Sequence, residues 1–371
     1  MDYSTESQTL DCEILGVIGA WHRDGIELTH GEFNDLALRL FDYQLRYNIP
    51  YARYCERLGL TRDAFPASWE AIPAVPAPAF KEAALTTFDP AAPALFFETS
   101  GTTDGKPGRH YLETPALYDA ALLAGFDRFM LADGVALRYF NCVPNPLESP
   151  HSSLGYMMKR VAAERGDAKT GWYLRDGELL FETFKSDLLQ AVAERQAICL
   201  AATAFALVHL LDAMEGEGLR ISLPPGSRIM ETGGFKGRSR MVSREELYER
   251  TCDRFGVEPE AIVAEYGMTE LSSQYYDRVP AGAVLAQRRK IGPPWLRARV
   301  VGPDRATLPY GEIGSILHVD LASRSSCIAI QTEDLGVQHD DGLVLLGRAV
   351  DAESRGCSLD SEDLRERRSA S

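Results

Sequence analysis

Closely spaced cysteine pairs are absent from this sequence. Its seven cysteines are scattered along 371 residues, with no CxxC spacing among them. Structural zinc sites usually need such pairs, and disulfide frameworks need an even number of cysteines at high density. The sequence therefore predicts neither a zinc site nor a disulfide framework, and it favours a reducing, cytoplasmic setting.

A long apolar run and an excess of positive charge are also missing. No apolar stretch reaches the ~20 residues that a membrane-spanning helix needs. The N-terminus, Met1–Glu6, is polar and acidic and does not resemble a signal peptide. The formal net charge is -15, and so acidic a surface repels nucleic acid and anionic membranes. We therefore expect no nucleic-acid partner and no membrane partner, although a local basic pocket for a nucleotide is compatible with this charge.

The sequence does contain enough apolar residues for a large core with more than one lobe. Hydrophobic residues make up 45% of the chain. Residues 1–90 are predicted to be mainly helical, because apolar residues recur at helical spacing from Phe33 to Leu58. Pro50 should divide that stretch into two helices. The proline-rich segment Ile72–Pro78 is expected to be a connector.

Residues 91–285 alternate between short apolar runs and helical stretches, which predicts an α/β core. Such alternation is typical of a mostly parallel sheet flanked by helices. The predicted strands are Ala94–Phe97, Leu137–Val143, Ala197–Ala201, Arg228–Glu231 and Ala261–Glu265. The predicted helices are 115–131, 152–165, 186–195, 203–214 and 243–255.

Residues 286–346 show no helical periodicity and are predicted to form a small β subdomain. Glycine and aspartate turns separate its apolar runs. Its predicted strands are Arg297–Gly302, Gly314–Leu321, Cys327–Thr332 and Leu343–Leu346. Residues 347–371 are expected to form a short polar C-terminal tail.

The glycine-rich segment Thr99–Arg109 is the strongest local signal for an anion-binding loop. It follows a predicted strand, and its glycines allow a tight turn that brings backbone N–H groups to an anion. Hydroxyl side chains and the cations Lys106 and Arg109 would complete a phosphate cradle. The segment is not a Walker A loop, because Pro107 stands where the Ser or Thr would be. The alternative is a solvent-exposed hairpin turn, since glycine, aspartate and proline also form turns.

A second candidate segment, Ala264–Glu270, follows another predicted strand. The loop after such a strand lies at the sheet edge where ligands of α/β proteins bind. Glu270 could hold Mg²⁺ with phosphate oxygens as co-ligands, and Tyr266 could stack on a base. The alternative is an ordinary loop glutamate in water.

In their order along the chain, these and two further motifs resemble those of the acyl-adenylate-forming superfamily. Thr99–Gly108 is similar to its phosphate loop, T-S-G-T-T-G-x-P-K-G, and Tyr266–Glu270 matches its Y-G-x-T-E motif. Thr332–Asp334 resembles its T-G-D motif, and Gly347–Gly356 resembles the hinge before its mobile C-terminal domain. The resemblance implies the fold of the large domain of these enzymes, with ATP and Mg²⁺ as cofactors.

The resemblance also implies a role for each matching residue. Those implied for the phosphates are Thr99, Ser100, Gly101, Thr102, Thr103, Gly105, Lys106 and Arg109. Those implied for the adenine and ribose are Gly233, Gly234, Tyr266, Gly267, Asp334 and Arg348. Thr269 would touch the α-phosphate, and Glu270 would hold Mg²⁺. His151 stands where the superfamily often places a His or aromatic residue against the acyl pocket, and the alternative for it is an ordinary helix-entry loop capped by Ser152.

Departures from the superfamily pattern narrow the subfamily. Asp104 is an extra residue in the phosphate loop and Gly108-Arg109 replaces Lys-Gly, so either Lys106 or Arg109 could meet the phosphates. Only 15 residues follow Gly356, which is too few for the usual C-terminal domain. The LuxE-type acyl-protein synthetases are similar in length, lack that domain and carry an acyl-accepting cysteine near the C-terminus. This sequence has Cys357 there.

The resemblance to LuxE-type proteins implies ATP-dependent activation of a carboxylic acid, of the fatty-acid class, to acyl-AMP. The acyl group would pass to a Cys357 thioester for hand-over to an acyl-reductase or an acyl-carrier protein. Two other functions fit the same motifs. A stand-alone ligase would transfer the acyl group to CoA or a carrier-protein phosphopantetheine, with Cys357 structural. A non-catalytic nucleotide-binding scaffold is favoured by the altered phosphate loop, whereas Glu270, Asp334 and Arg348 argue against it. No motif indicates which acid is used.

Overall fold

The computed structural model of the protein describes residues 2–60, 64–99, 106–233, 242–278 and 287–348. Its helices are α1 (Tyr3–Asp24), α2 (His30–Tyr47), α3 (Ile49–Arg57), α4 (Ala79–Glu82), α5 (Ala116–Met130), α6 (Ser153–Arg165), α7 (Phe181–Ala193), α8 (Ala204–Gly216) and α9 (Arg244–Phe255). Its strands are β1 (Val75–Pro76), β2 (Leu95–Glu98), β3 (Arg109–Leu112), β4 (Arg138–Cys142), β5 (Gly171–Trp172), β6 (Leu174–Arg175), β7 (Glu178–Leu179), β8 (Ile198–Thr203), β9 (Arg228–Thr232), β10 (Ile262–Tyr266), β11 (Tyr275–Arg278), β12 (Arg289–Ile291), β13 (Leu296–Val301), β14 (Ile313–Asp320), β15 (Ala329–His339) and β16 (Gly342–Arg348). None of these helices is both long and apolar enough to cross a membrane.

Helices α1 to α3 form the N-terminal segment. Each begins where a side chain caps the free backbone N–H groups: Asp2 caps α1, and Thr29 forms a capping box with Glu32 at α2. Between α2 and α3 the chain breaks at Asn48, which caps α3, and Pro50 occupies the first turn of α3. The predicted division of this stretch at Pro50 is therefore confirmed.

One large sheet carries the α/β core. Its strand order is β13-β14-β15-β16-β12-β11-β10-β9-β8-β4-β5, and β1 pairs with β15. Neighbouring strands are parallel in the part β5-β4-β8-β9-β10. They are antiparallel in the rest of that order, β10-β11-β12-β16-β15-β14-β13. The strands after residue 285 thus extend the sheet that the parallel strands begin. The predicted α/β fold, with parallel strands flanked by helices, is confirmed.

Helices cover both faces of the parallel strands. Along β8 every residue from Ile198 to Ala202 is buried. Ile198, Leu200 and Ala202 join the core formed with α7, α8 and α9, whereas Cys199 and Ala201 join the core formed with α5 and α6. Because both faces are buried, the strand has a continuous apolar run instead of an alternating pattern.

Strands β2 and β3 form a separate antiparallel hairpin outside the large sheet. The sequence predicted a strand at Ala94–Phe97 within the alternating core, and the structure instead pairs β2 with the segment that follows the glycine-rich loop. Glu98 and Arg109 are partners at the end of this pairing that adjoins the glycine-rich loop. The sequence analysis missed β3, because its first two residues, Arg109 and His110, are polar and leave no apolar run, and Arg109 was assigned to the glycine-rich segment.

The loop between β14 and β15 is buried along its whole length, unlike most loops. Residues 321–328 are all buried, and one side chain of α2 makes three hydrogen bonds with their backbone. Gln44 Nε2 donates to the carbonyls of Ser323 at 2.8 Å and Arg324 at 3.2 Å, and Gln44 Oε1 accepts from the N–H of Ile328 at 2.9 Å. These bonds join the N-terminal helices to the β14–β15 pair.

Candidate active site

Three parallel strands of the core end at one edge of the sheet. Thr203 of β8 lies in register with Thr232 of β9, and Thr232 lies in register with Glu265 of β10. Gly233, of the predicted Gly233–Gly234 loop, directly follows β9, and the predicted segment Ala264–Glu270 spans the end of β10 and the loop after it. Ligands of open α/β sheets bind beyond the carboxyl ends of the strands. This edge is therefore the candidate active site.

Tyr266, the last residue of β10, contacts Asp334 of β15. The Tyr266 hydroxyl donates to Asp334 Oδ2 at 2.9 Å. Burial raises the pKa of Tyr266 well above its usual value, so the hydroxyl keeps its proton and acts as a donor. On the neighbouring strand, Arg348 lies in register with Asp334, and its Nε is 3.8 Å from Asp334 Oδ1. The structure thus brings together three residues that the sequence assigns to adenine and ribose.

A buried histidine, His318 on β14, holds Tyr266 in place. Burial lowers the pKa of His318 to about 3, so the imidazole is neutral at physiological pH. Its Nε2 lies 3.3 Å from the Tyr266 hydroxyl, and its Nδ1 lies 3.0 Å from the Tyr275 hydroxyl. Because Tyr266 gives its proton to Asp334, it accepts from Nε2–H, and Nδ1 accepts from Tyr275. The sequence analysis did not select His318, which stands in a predicted strand with no motif around it.

The hairpin closes the two ends of the glycine-rich segment. The Thr99 N–H donates to the Gly108 carbonyl, and the Gly108 N–H donates to Thr99 Oγ1, each at 2.9 Å. The Thr99 hydroxyl oxygen is therefore engaged at the base of the loop. The remaining predictions in this loop, and two elsewhere, lie outside the described residues: Ser100, Gly101, Thr102, Thr103, Gly105, Gly234 and Cys357.

The two candidate phosphate cations differ in their contacts. Arg109 Nε donates to Glu98 Oε1 at 2.9 Å, and its guanidinium lies 5.1 Å from the centre of the Phe96 ring. Lys106 is exposed, and its side chain forms no ion pair with another residue in the described ranges. Arg109 thus already has an acidic partner, whereas Lys106 has none within the described ranges.

His151 lies against the same hairpin. Its carbonyl accepts from the Glu98 N–H at 2.9 Å, and its ring stacks on Phe96 with 3.9 Å between centroids. Ser152 caps α6 by accepting from the Gly155 N–H, as expected of a helix-entry loop. The role of His151 beside an acyl group stays a prediction.

The loop after β10 contacts the hairpin through Thr269. The Thr269 carbonyl lies 2.8 Å from His110 Nδ1, and Thr269 Oγ1 lies 3.5 Å from the Glu98 carbonyl oxygen. The next residue, Glu270, is 8% exposed. The alternative of an ordinary loop glutamate in water is therefore wrong. The fold brings the Y-G-x-T-E loop and the base of the glycine-rich segment to one place.

Glu265 is a buried acid at this edge that the sequence analysis did not select. Its Oε2 accepts a hydrogen bond from Thr232 Oγ1. Burial raises the pKa of Glu265 to about 7, and the bond from Thr232 acts in the opposite direction. A Cβ at Gly267 would lie 2.6 Å from Glu265 Oε1, so a side chain at this position would require the Glu265 carboxylate to move. An acid inside an apolar strand run is the sequence signal that could have identified it.

A buried ion cluster supports the strands beside the site. Lys290 of β12 and Asp277 of β11 are each 2% exposed at their side chains, and Lys290 Nζ lies 2.9 Å from Asp277 Oδ1. Lys290 Nζ also donates to the Ala264 carbonyl at 2.6 Å, which ties β12 to β10. Burial lowers the pKa of Lys290, and Asp277 acts in the opposite direction. Burial likewise raises the pKa of Glu231 on β9.

Comparison with solved structures identifies the fold. An open conformation of 2-hydroxyisobutyryl-CoA ligase, in complex with 2-HIB-AMP and CoA, matches 87% of this chain and 76% of its own, with a TM-score of 0.62 and 16% identity. The same ligase in its thioesterification state matches 87% of this chain and 69% of its own, with a TM-score of 0.62 and 16% identity. At this identity the matches show the fold alone, which is that of adenylate-forming enzymes.

Comparison of the sequence identifies the family. No curated protein sequence matches the chain. The family model of the LuxE acyl-protein synthetases matches residues 167–364, which is more than half of the chain. The matched segment includes the Tyr266–Glu270 loop and Asp334. The chain therefore belongs to the LuxE acyl-protein synthetase family.

Proposed function

We propose that the protein activates a carboxylic acid with ATP and then carries the acyl group as a thioester on Cys357. The proposal of an adenylation step rests on one observation: the loop after β10 and the hairpin at the base of the glycine-rich segment lie together at one edge of the sheet. Tyr266 contacts Asp334 there, and Thr269 contacts the hairpin that closes the glycine-rich segment. Membership of the LuxE family supports the same step.

Adenylation gives the acid a good leaving group. One carboxylate oxygen attacks the α-phosphorus of ATP, the bond to pyrophosphate breaks, and acyl-AMP forms. The two reacting groups are both anionic, so the protein contributes chiefly by positioning them and by neutralising charge. We assign these tasks to side chains that the fold brings to the sheet edge.

Lys106 is the proposed cation for the phosphates, because Arg109 is already paired with Glu98. Thr269 would contact the α-phosphate. Glu270 would hold Mg²⁺, and a single carboxylate fits this ion, which takes its other ligands from phosphates and water. A group of three metal-binding side chains is absent from the described part of the chain. When bound, Mg²⁺ would neutralise charge on the phosphates.

The nucleoside would lie at the other end of the sheet edge. The Tyr266 ring would stack on adenine, and its hydroxyl bond to Asp334 fixes the ring's orientation. A carboxylate accepts several hydrogen bonds, so Asp334 can receive the ribose hydroxyls as well as Tyr266. Arg348 would sit beside them. Gly233 has a φ of 75°, which favours glycine, and its lack of a side chain lets the loop approach the adenine closely.

The environments of the cysteines support Cys357 as the acyl acceptor. A thiolate is the attacking species, and a raised pKa keeps a thiol protonated at neutral pH. Burial raises the pKa of these thiols: Cys55, Cys142, Cys199, Cys252 and Cys327. Of the described cysteines, Cys12 on α1 is the exposed one. The Cys357 thiolate would attack the acyl carbon, AMP would leave, and the thiol proton would pass to solvent.

ATP–pyrophosphate exchange with a panel of aliphatic and aromatic acids tests the first step. We expect exchange that requires both an acid and Mg²⁺, because pyrophosphate is released only when acyl-AMP forms. A panel in which no acid supports exchange would contradict the adenylation proposal. The best acid in the panel would also identify the substrate class, for which we propose a fatty acid.

Labelled acid tests the acceptor. After incubation with ATP and denaturation, we expect protein-bound label that neutral hydroxylamine releases. Cys357→Ser should keep the exchange activity and lose the label, and the matched control Cys12→Ser should keep both. Label that appears on CoA or on a carrier protein, and never on the chain, would replace this proposal with a ligase that uses an external acceptor. A labelled chain could then be tested for hand-over to an acyl-reductase or an acyl-carrier protein.

A further inference from the structure

His110 lies on β3, directly after the residue pair that closes the glycine-rich segment. Residues along β3 alternate between partly exposed and buried positions, and His110 points into the protein. The residue is 0% exposed. Its Nδ1 lies 2.8 Å from the Thr269 carbonyl oxygen, across 159 positions of sequence. The imidazole therefore joins the hairpin to the loop that carries Glu270.

The protonation state of His110 follows from its surroundings. Burial lowers the pKa of His110 to about 4, although its bond with the Thr269 carbonyl acts in the opposite direction. The ring is therefore neutral at physiological pH and carries one proton. Because a carbonyl oxygen can only accept, that proton is on Nδ1. Nε2 has no hydrogen-bond partner within the described ranges.

An apolar side chain could fill this site as well as histidine does. The imidazole packs edge-on against Phe80, with 5.9 Å between ring centroids. An apolar side chain such as leucine could not donate the hydrogen bond that His110 Nδ1 makes to the Thr269 carbonyl. The other polar contact between Thr269 and the hairpin, from Oγ1 to the Glu98 carbonyl, is 3.5 Å long and therefore weak.

We propose that His110 is a positioning residue, which orients the Thr269–Glu270 peptide toward the bound nucleotide by donating from Nδ1 to the Thr269 carbonyl. Its role rests on the proposed adenylation function. The hydrogen bond sets the distance between the base of the phosphate loop and the carboxylate loop. These two loops must act on the same triphosphate, so a shift of one relative to the other would misplace Thr269 and Glu270 together.

Two amide variants separate the donor position from simple space filling. In His110→Asn the side-chain amide reaches the position of Nδ1, whereas in His110→Gln it reaches toward the position of Nε2. We expect His110→Asn to keep pyrophosphate exchange within about threefold of the wild type. We expect His110→Gln to lose about tenfold to a hundredfold in kcat, because a buried carbonyl would be left without its donor. The concentration of Mg²⁺ needed for half-maximal rate should rise, and KM for the acid should stay unchanged.

Equal exchange rates in the two variants would overturn the proposal, since a purely structural histidine would not distinguish them. The ¹⁵N shifts of the His110 imidazole in the wild type give a test that does not depend on a variant's folding. They should show a neutral ring with the proton on Nδ1 from pH 5 to 8. A proton on Nε2, or a titration in this range, would overturn the proposal even if exchange is normal. Absence of exchange in the wild type would instead remove the adenylation function on which this role rests.

Discussion

Substitutions at Lys106 and Arg109 separate the roles of two cations that stand beside the same loop. Lys106→Ala and Arg109→Ala each remove one positive charge from nearly the same place, so either variant controls for the loss of overall charge. Within the described part of the chain, Arg109 has an acidic partner, Glu98, and Lys106 has none. We expect Lys106→Ala to lower acid-dependent pyrophosphate exchange far more than Arg109→Ala does.

The expected magnitudes follow from what each side chain contacts. A preorganised group that faces charge developing on the reacting atoms contributes about 2.7–4 kcal/mol, so Lys106→Ala should lose about 10²- to 10³-fold in kcat. Arg109 and Glu98 are 2.9 Å apart, and their side chains are 43% and 28% exposed. A solvent-screened ion pair of this kind contributes little, so we expect Arg109→Ala to change the rate by about fivefold at most.

The assay is the initial rate of exchange at several concentrations of ATP and acid, which separates kcat from KM. Thermal unfolding of each variant by circular dichroism checks that the fold is intact. A larger loss in Arg109→Ala than in Lys106→Ala would refute the assignment of the phosphate cation. Small, equal losses would show that neither side chain meets the phosphates.

Three further substitutions test other parts of the structure. Glu270→Gln should lower the exchange rate by about 10²-fold or more with an intact fold, and a near-normal rate would remove Glu270 from the site. Because the pKa of Glu265 is about 7 against a usual 4.5, the unfolded chain loses this proton first as pH rises. The free energy of unfolding should therefore fall between pH 4.5 and 7, by about 3 kcal/mol from this group, and Glu265→Gln should remove that part of the fall in urea titrations. Gln44→Ala leaves the buried Arg324 carbonyl and Ile328 N–H without their side-chain partner, whereas the Ser323 carbonyl keeps its bond from the Ser326 N–H. It should destabilise the protein by about 2 kcal/mol or more in the same assay, whereas Gln190→Ala, at an exposed position, should have little effect.

Local patterns in the sequence were enough to predict the parallel strands that carry the site, although not β3 of the hairpin. Short, mainly apolar runs placed β8, β9 and β10 to within two residues, because strands buried on both faces carry apolar residues on both faces and do not alternate with polar ones. Pro50 marked the division of the N-terminal helices, since proline fits the first turn of a helix but not its interior. The motifs at Thr99 and Tyr266 depend on short runs of neighbouring residues, so the fold class and the family could also be recognised.

Only the tertiary structure decided which side chains meet. His110 is 159 positions from Thr269, and Gln44 is 279 positions from Ser323, and no local pattern encodes contacts over such separations. The sequence left the choice between Lys106 and Arg109 open. The pairing of β2 with β3, which places Glu98 beside Arg109, is the observation that supports our proposal of Lys106. Glu265 has a raised pKa because the packed strands around it exclude water, and that exclusion exists only in the folded protein.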